Sequence, residues 1–355
     1  MIKLPGLIDP HVHLREPGAT HKEDWESGTK AGLAGGFTML LAMPNTDPPV
    51  VDQNSFTLTA QAARKKSFID YGIFVGASEE NVESAASMAS QSAGLKMYLD
   101  QTYGPLKLDN IHLWQKHVKN WPGEYPLAVH AEGRSLGAIL LISILYNKSI
   151  HICHVARKEE ILLIRAAKQK GARITCEVAP HHMFMTENDI PADEPGRGEV
   201  RPRLAKPEDR AALWENLDVI DCFASDHAPH TYSEKISSLP PPGFPGLETS
   251  LSLYLNAVSE GQLSIDDLVL RMEKNPRQIF NLPRQADTWI EVDPDYSWEI
   301  SAAKTYSRCG WTPFEGWKVK GYLKRVVLRG ETAFENGKIF AKSGSGRDVR
   351  QLRKS

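Results

Sequence analysis

Eight times between residues 6 and 225, a short apolar run rich in β-branched residues closes on a polar or charged residue and gives way to a longer amphipathic stretch. The predicted strands are 6–12, 37–43, 71–76, 94–99, 127–131, 150–155, 173–178 and 219–225, and the clearest predicted helices are 54–66, 79–91, 158–170 and 207–217. A last helix is predicted over 264–280, opened by Ser264 as N-cap. Parallel strands joined by helices leave few architectures. Eight of them in about 280 residues predict an α/β fold of the (β/α)8 TIM-barrel type. An open dinucleotide-binding sheet fits less well, because no G-x-G-x-x-G follows the first strand.

After Pro283 the texture changes to short strand-like runs, such as "TWIEVD" and "KVKGYLKRVVLRGETAFENGKIF", with turns at Arg329–Gly330 and Asn336–Gly337. The expected organisation is a barrel over 1–283, a small β-rich extension over 284–343 that packs with the N-terminus, and a frayed polar tail or linker over 344–355.

Composition narrows the partners. With 41% hydrophobic and 24% charged residues the chain reads as a soluble globular protein. A net charge of -2 favours neither nucleic acid nor an anionic membrane surface. No apolar run is long enough to span a bilayer, and the start lacks a signal-peptide pattern. Four scattered cysteines, Cys153, Cys176, Cys222 and Cys309, suit reduced thiols in a cytoplasmic protein better than a disulfide framework.

The strand ends carry the chemistry. The first strand closes "PGLIDPHVHLREPG", and the period of two along a strand sends His11 and His13 to one side, where two imidazoles can share a cation. Other strand ends supply Lys96 in "GLKMYL", His130 in "LAVHAE", His154 in "IHICHVA" and Asp226 in "CFASDHAPH". In a barrel these ends meet at one mouth. Lys96 is the odd member, because an ammonium repels cations. Burial beside metal ions favours its neutral amine, which can take up carbon dioxide as an anionic carbamate, giving N6-carboxylysine.

At this point the chain resembles the amidohydrolase superfamily, whose barrels carry H-x-H, a carboxylated Lys, two His and an Asp in this order. More narrowly, "AMPNT", "GLKMYL", "HICHVARKEEILLI", "CEVAPHH", "GEVRPRL", "FASDHAPHT" and "PPPGFPGLET" are similar to the dihydroorotase domains of animal-type multifunctional pyrimidine-biosynthesis proteins. The likeness runs over nearly the whole chain. It implies zinc-dependent, reversible cyclisation of N-carbamoyl-L-aspartate to L-dihydroorotate. One zinc would be held by His11, His13, Asp226 and carboxylated Lys96, and a second by Lys96, His130 and His154, with a hydroxide between them. Asp226 would move the proton. A third zinc would use Cys153 and Glu177 with His11 shared, although strict alternation places Cys153 and His154 on opposite faces.

For the substrate, Arg15 lies two residues past His13 and suits a bidentate carboxylate clamp. The resemblance adds Asn45, Arg201, His230 and the backbone at Pro242 and Gly243. It also makes "DQTYGPLKL" a lid with Thr102 and Tyr103 at its tip; the animal-type pattern has Phe where this chain has Tyr103. His181 and His182 are read as structural, and His21, His112, His117 and His151 receive no role. Only six residues precede Leu7, so the chain is expected to be one domain of a longer polypeptide, a homodimer, with carbamoyl-phosphate synthetase and aspartate transcarbamoylase as covalent neighbours. A hydantoinase-like enzyme without the paired arginine clamp, or a barrel that has lost its metals, are the competing expectations.

Overall fold

A computed structural model of the chain describes residues 1–352. In chain order the strands are β1 (Ile2–Pro5), β2 (Leu7–Val12), β3 (Phe37–Ala42), β4 (Asp70–Ile73), β5 (Val75–Gly76), β6 (Leu95–Tyr98), β7 (Leu127–His130), β8 (Ile150–Ile152), β9 (Ile174–Val178), β10 (Cys222–Phe223), β11 (Trp289–Glu299), β12 (Lys318–Leu328), β13 (Glu331–Glu335) and β14 (Lys338–Ile339). The helices used below are α1 (Trp25–Ala34), α2 (Gln53–Lys66), α3 (Ile111–Asn120), α4 (Arg134–Leu145) and α5 (Lys158–Gln169).

All pairings from β2 to β4 and from β5 to β10 are parallel and follow chain order. The consecutive strands β4 and β5 bend from one run into the other, so together they fill one barrel position. Closure comes from the two ends of the series. Val12 bridges His227 in parallel, His13 N–H donates to His227 O at 2.7 Å, and Ser225 N–H donates to the Asp9 carboxylate at 3.1 Å. The fold is thus a (β/α)8 barrel. Its strands are apolar and buried on both faces, as a sheet covered by helices requires.

Local chemistry starts the helices where the spacing predicts them. Asp52 caps α2 by accepting from Ser55 N–H at 2.8 Å, and Arg64, Lys65 and Lys66 in its last turn oppose the dipole. The predicted helix 79–91 does not form; only a 3-10 turn at Ala85–Met88 remains. Its polar side chains bond locally or across the fold instead. Asn81 accepts from Ser78 N–H and donates to Val51 O and Gly76 O, while Ser87 Oγ donates to Ser84 O. Such bonds compete with a helix ladder.

A second sheet runs β1-β11-β12-β13-β14, with Ile2 opposite Val292 and Pro5 opposite Trp289, so the N-terminal strand belongs to the sheet built after residue 289. Asn336 and Gly337 both take positive φ (47° and 81°), the turn geometry that suits a tight hairpin between β13 and β14.

The tail is a correction. Residues 344–352 are packed against the barrel rather than frayed. Val349 is fully buried, and the Arg350 guanidinium donates to the carbonyls of Ser92, Ala93, Phe280 and Asn281. The carbonyls of the turn before β6 and of the helix end at 280–281 are what recruit it. The rest of the expected tail, 353–355, lies outside the described residues.

Candidate active site

Three residues at the barrel mouth leave ordinary strand geometry. Arg15 (φ 60°), His154 (φ 33°) and Asp226 (φ 45°) all sit in the left-handed region, which non-glycine residues rarely occupy. The turn at His154 settles the alternation problem. β8 stops at Ile152, the chain twists, and Cys153 and His154 both face inward. Cys153 Sγ then accepts from the fully buried Lys96 Nζ at 2.8 Å.

His11 and His13 converge as expected. His11 Nδ1 lies 2.5 Å from Glu177 Oε1, so its Nε2 faces Asp226 Oδ1 at 3.3 Å. His13 Nδ1 donates to Asn45 Oδ1 at 2.6 Å, and its Nε2 faces the same Asp226 oxygen at 3.3 Å. With the ring protons committed to Glu177 and Asn45, two nitrogen lone pairs point at one carboxylate oxygen. Acceptors arranged this way call for a cation between them.

The second half shows the same deficit. His130 Nε2 donates to Glu132 Oε1 at 3.1 Å, which leaves its Nδ1 lone pair 3.0 Å from His154 Nε2, while the buried His154 Nδ1 has no protein partner among the described residues. Two triads, His11–His13–Asp226 and His11–Cys153–Glu177, bring their ligand atoms within 4.8 Å of one another. Neutral imidazoles, a thiol, carboxylates and a buried amine are a donor set that fits zinc.

Electrostatics agree. Burial pushes His13 down to about 4 and lowers His130 and His154, so these rings are neutral near pH 7. Burial opposes charge on Asp226; protonated imidazoles at His11 and His13 would outweigh it and hold the carboxyl well below the usual range, a role that falls to a bound cation when the rings are neutral. Glu177 is held low in the same way by His11 and His151. His151, expected to have no role, supports Glu177 from behind, with Nε2 3.1 Å from Oε2 and Nδ1 2.9 Å from Thr175 Oγ1.

The predicted substrate residues, His230 excepted, line one narrow cleft with a cavity volume of about 30 Å³. Arg15, Asn45, Thr102, Tyr103, Arg201, Pro242 and Gly243 line it together with His11, His13, His130, His154 and Asp226. Arg15 is buried, and although burial lowers it to about 10, the guanidinium stays charged at neutral pH. Arg201 is tied to Glu199 Oε2 at 2.8 Å. His230 sits behind the wall, 3.1 Å from Arg15 Nη2. Gly243 (φ 143°) is required by close approach, since a Cβ there would lie 2.3 Å from Ala228 O. The segment expected to act as a lid borders the cleft through Thr102 and Tyr103, with Asn45 Nδ2 donating to Tyr103 O at 3.0 Å.

Sequence reading missed Tyr98, which lines the cleft and whose buried hydroxyl has no partner among the described residues. The period of two from Lys96 along β6 was the signal available. It also missed His227, whose Nδ1 accepts from Gly246 N–H and whose Nε2 lies 3.3 Å from Glu23, and the buried Lys22.

Lys235 was missed too, and it holds the outer wall. Its fully buried Nζ donates to Glu199 O at 2.6 Å and Pro241 O at 2.9 Å. Burial lowers its pKa from 10.5 to about 7. The folded value lies below the unfolded one, so stability is lost as pH falls from about 10.5 towards 7. The loss is about 1.4 kcal/mol per pH unit in that window. Urea unfolding at pH 8 and pH 9.5 is expected to show this slope relative to Lys235→Met, which lacks the titrating group.

With the geometry in hand, the relatives are informative. A family model described as "Dihydro-orotase-like" matches residues 1–103. The dihydroorotase of Pyrococcus furiosus is 36% identical over 362 residues, covering 98% of this chain and 85% of that protein. The chain belongs to the dihydroorotase family. The multifunctional protein pyr1-3 of Dictyostelium discoideum is 56% identical over 351 residues, which is 99% of this chain but only 16% of that protein. Among solved structures, the inactive dihydroorotase-like domain of a Chaetomium thermophilum multifunctional protein aligns with a TM-score of 0.85 at 28% identity, covering 98% of this chain and 99% of that one. Family membership alone therefore does not guarantee turnover, and the residues in the cleft decide it.

Proposed function

We propose that this chain is an active dihydroorotase, interconverting N-carbamoyl-L-aspartate and L-dihydroorotate in pyrimidine biosynthesis. The observation that carries the reading is the single cleft in which Asp226, with its paired imidazoles, faces the Arg15–Asn45 wall. His11, His13 and Asp226 would hold one zinc and His130 and His154 a second, with carboxylated Lys96 shared between them. Cys153 and Glu177 would hold a third with His11. When bound, the ions supply Lewis-acid polarisation of the acyl oxygen and a lowered pKa for water.

The chain's own residues do the rest. Arg15, helped by Asn45 and His230, clamps the carboxylate that does not react, with Arg201 and the Pro242–Gly243 backbone closing the far side. Fixing that carboxylate brings the carbamoyl nitrogen against the other carboxyl carbon. In cyclisation the N–C bond forms, a C–O bond breaks and water leaves. Asp226, ionised at neutral pH, accepts the nitrogen's proton and returns it in the reverse direction. One proton is consumed overall on closure, so acid favours the ring and alkali the open form. Thr102 and Tyr103 cover the cleft and exclude water.

Purified protein is expected to hydrolyse dihydroorotate above pH 8 and to cyclise carbamoyl aspartate near pH 6. Exhaustive chelation is expected to remove at least about 99% of the activity, with zinc restoring it. Full activity after chelation sinks the reading, as does a preparation that binds no zinc. The match to a short stretch of a multifunctional relative supports covalent neighbours, and those the resemblance implies, a carbamoyl-phosphate synthetase and an aspartate transcarbamoylase, would together supply carbamoyl aspartate. A homodimer is supported by the exposed apolar side chains Leu141, Ile144 and Leu145 on α4 beside Leu162 and Leu163 on α5.

A further inference from the structure

His230 receives conflicting demands. Its Nδ1 lies 3.0 Å from Lys22 Nζ, and its Nε2 lies 3.1 Å from Arg15 Nη2 and 3.0 Å from Pro242 O. An ammonium and a guanidinium only donate, a carbonyl only accepts, and a neutral imidazole has one nitrogen of each kind. Lys22 needs Nδ1 to accept. Pro242 O needs Nε2 to donate. These two agree on one tautomer, and Arg15 is left facing an N–H. Burial, reinforced by Arg15, Lys22 and Lys235, holds His230 far below the usual range, so the ring does not escape the conflict by gaining charge.

The consequence falls on Arg15. Among the described residues its other hydrogen bond runs from Nε to Pro229 O at 3.0 Å. The outer edge of a buried guanidinium is thus kept without an acceptor, turned to the cleft.

Lys22 has two more contacts. Its Nζ donates to Tyr103 Oη at 3.1 Å and pairs with Glu234 Oε1 at 3.0 Å, so three hydrogens meet three acceptors. The Tyr103 ring stands edge-on to His230 at 4.8 Å and lies 5.1 Å from the Arg15 guanidinium. Lys22 itself does not line the cleft. We propose that Lys22 is a positioning residue for this site. By imposing the Nε2–H tautomer on His230 it keeps Arg15 free for the substrate carboxylate, and through the Tyr103 hydroxyl it latches the lid over the cleft.

The carboxylate's identity rests on the dihydroorotase reading, but the tautomer and the latch do not. In Lys22→Met, His230 Nδ1 loses its donor, Nε2 becomes free to accept from Arg15, and the lid loses its anchor. The KM for dihydroorotate is expected to rise about tenfold, the value of one charge-assisted hydrogen bond, with kcat changed by less than about threefold. Lys22→Arg, which can still donate to the ring, is expected to recover part of that loss. Tyr103→Phe keeps the ring and removes only the latch. Amide exchange at residues 101–106 is expected to quicken by about tenfold in Tyr103→Phe and in Lys22→Met, without adding in the double variant.

Nitrogen NMR of labelled histidine, with the signal assigned by its loss in His230→Gln, reads the tautomer directly. A mixed tautomer in Lys22→Met supports the proposal; an unchanged Nε2–H signal with unchanged KM overturns it, as does a fall in kcat alone. Additive exchange rates, or none altered, overturn the latch. Should Lys22→Met fail to fold, the wild-type tautomer and Tyr103→Phe exchange still decide both halves. Should the wild-type chain not turn over dihydroorotate, the functional reading fails while the exchange and NMR results stand.

Discussion

Asp226→Asn is expected to lower kcat in both directions by about 10²–10⁴-fold, the usual contribution of a placed general base or acid. The carboxamide is nearly isosteric, so the barrel and the cleft survive. What disappears is the proton acceptor, together with the negative charge on which the lone pairs of His11 and His13 converge at 3.3 Å. KM is expected to move far less, since on the proposed reading Arg15 and Asn45, which line the same cleft, hold the substrate carboxylate that does not react. Steady-state kinetics with dihydroorotate at pH 8, beside zinc content by mass spectrometry, separates the two losses. A variant that keeps its zinc and its wild-type kcat removes Asp226 from the mechanism.

Lys96 carries the second large effect. Replacing an outer partner of a metal ligand typically costs 10–100-fold; on the proposed reading Lys96 would be shared between two ions, so its loss is expected to exceed the upper end, about 100-fold. Lys96→Ala tests the loss of the group. Lys96→Arg is the sharper variant: it keeps a long cationic side chain but cannot take up carbon dioxide. Both are expected to lose activity and bound zinc together. Wild-type turnover in Lys96→Arg would mean that carboxylation of this side chain, which lies 2.8 Å from Cys153 Sγ, is not needed. Lys96→Ala also leaves a cavity in the barrel, so thermal unfolding of the apo forms should accompany the assay.

Much of this architecture could be read from local pattern. The parallel strands appear where apolar runs are, within a residue or two for β2, β3, β6, β7 and β9, because burial on both faces leaves an uninterrupted apolar signature. The same pattern overextends β8 and β10. Those runs stay apolar past Ile152 and Phe223, but the chain turns out of the sheet so that His154 and Asp226 can face the cleft. A turn made by non-glycine residues at positive φ leaves no mark in composition. The uncertainty over Cys153 had the same origin, since strict alternation holds only where a strand continues.

Other features were hidden for a different reason. Lys22 sits in a polar loop and looks like any solvated lysine, and Arg350 lies in a basic tail that looks frayed. Both are buried because acceptors distant in sequence claim their hydrogens: His230, Tyr103 and Glu234 for one, the carbonyls of Ser92, Ala93, Phe280 and Asn281 for the other. The failed helix at 79–91 is the converse case, where Asn81 spends its side chain on Val51 and Gly76.

Residue order along the chain was enough to specify a barrel, to put imidazoles, an amine and a carboxylate at its strand ends, and to place the chain near its family, because those signals repeat every two residues or fall in short strings. Which nitrogen of each imidazole is free, whether a lysine is solvated or clamped, and which arginine edge faces the cleft were settled only by packing. Those properties depend on a single donor or acceptor brought within about 3 Å, from 32 residues away for His13 and Asn45 and from 208 away for Lys22 and His230, and no local periodicity encodes such a partner.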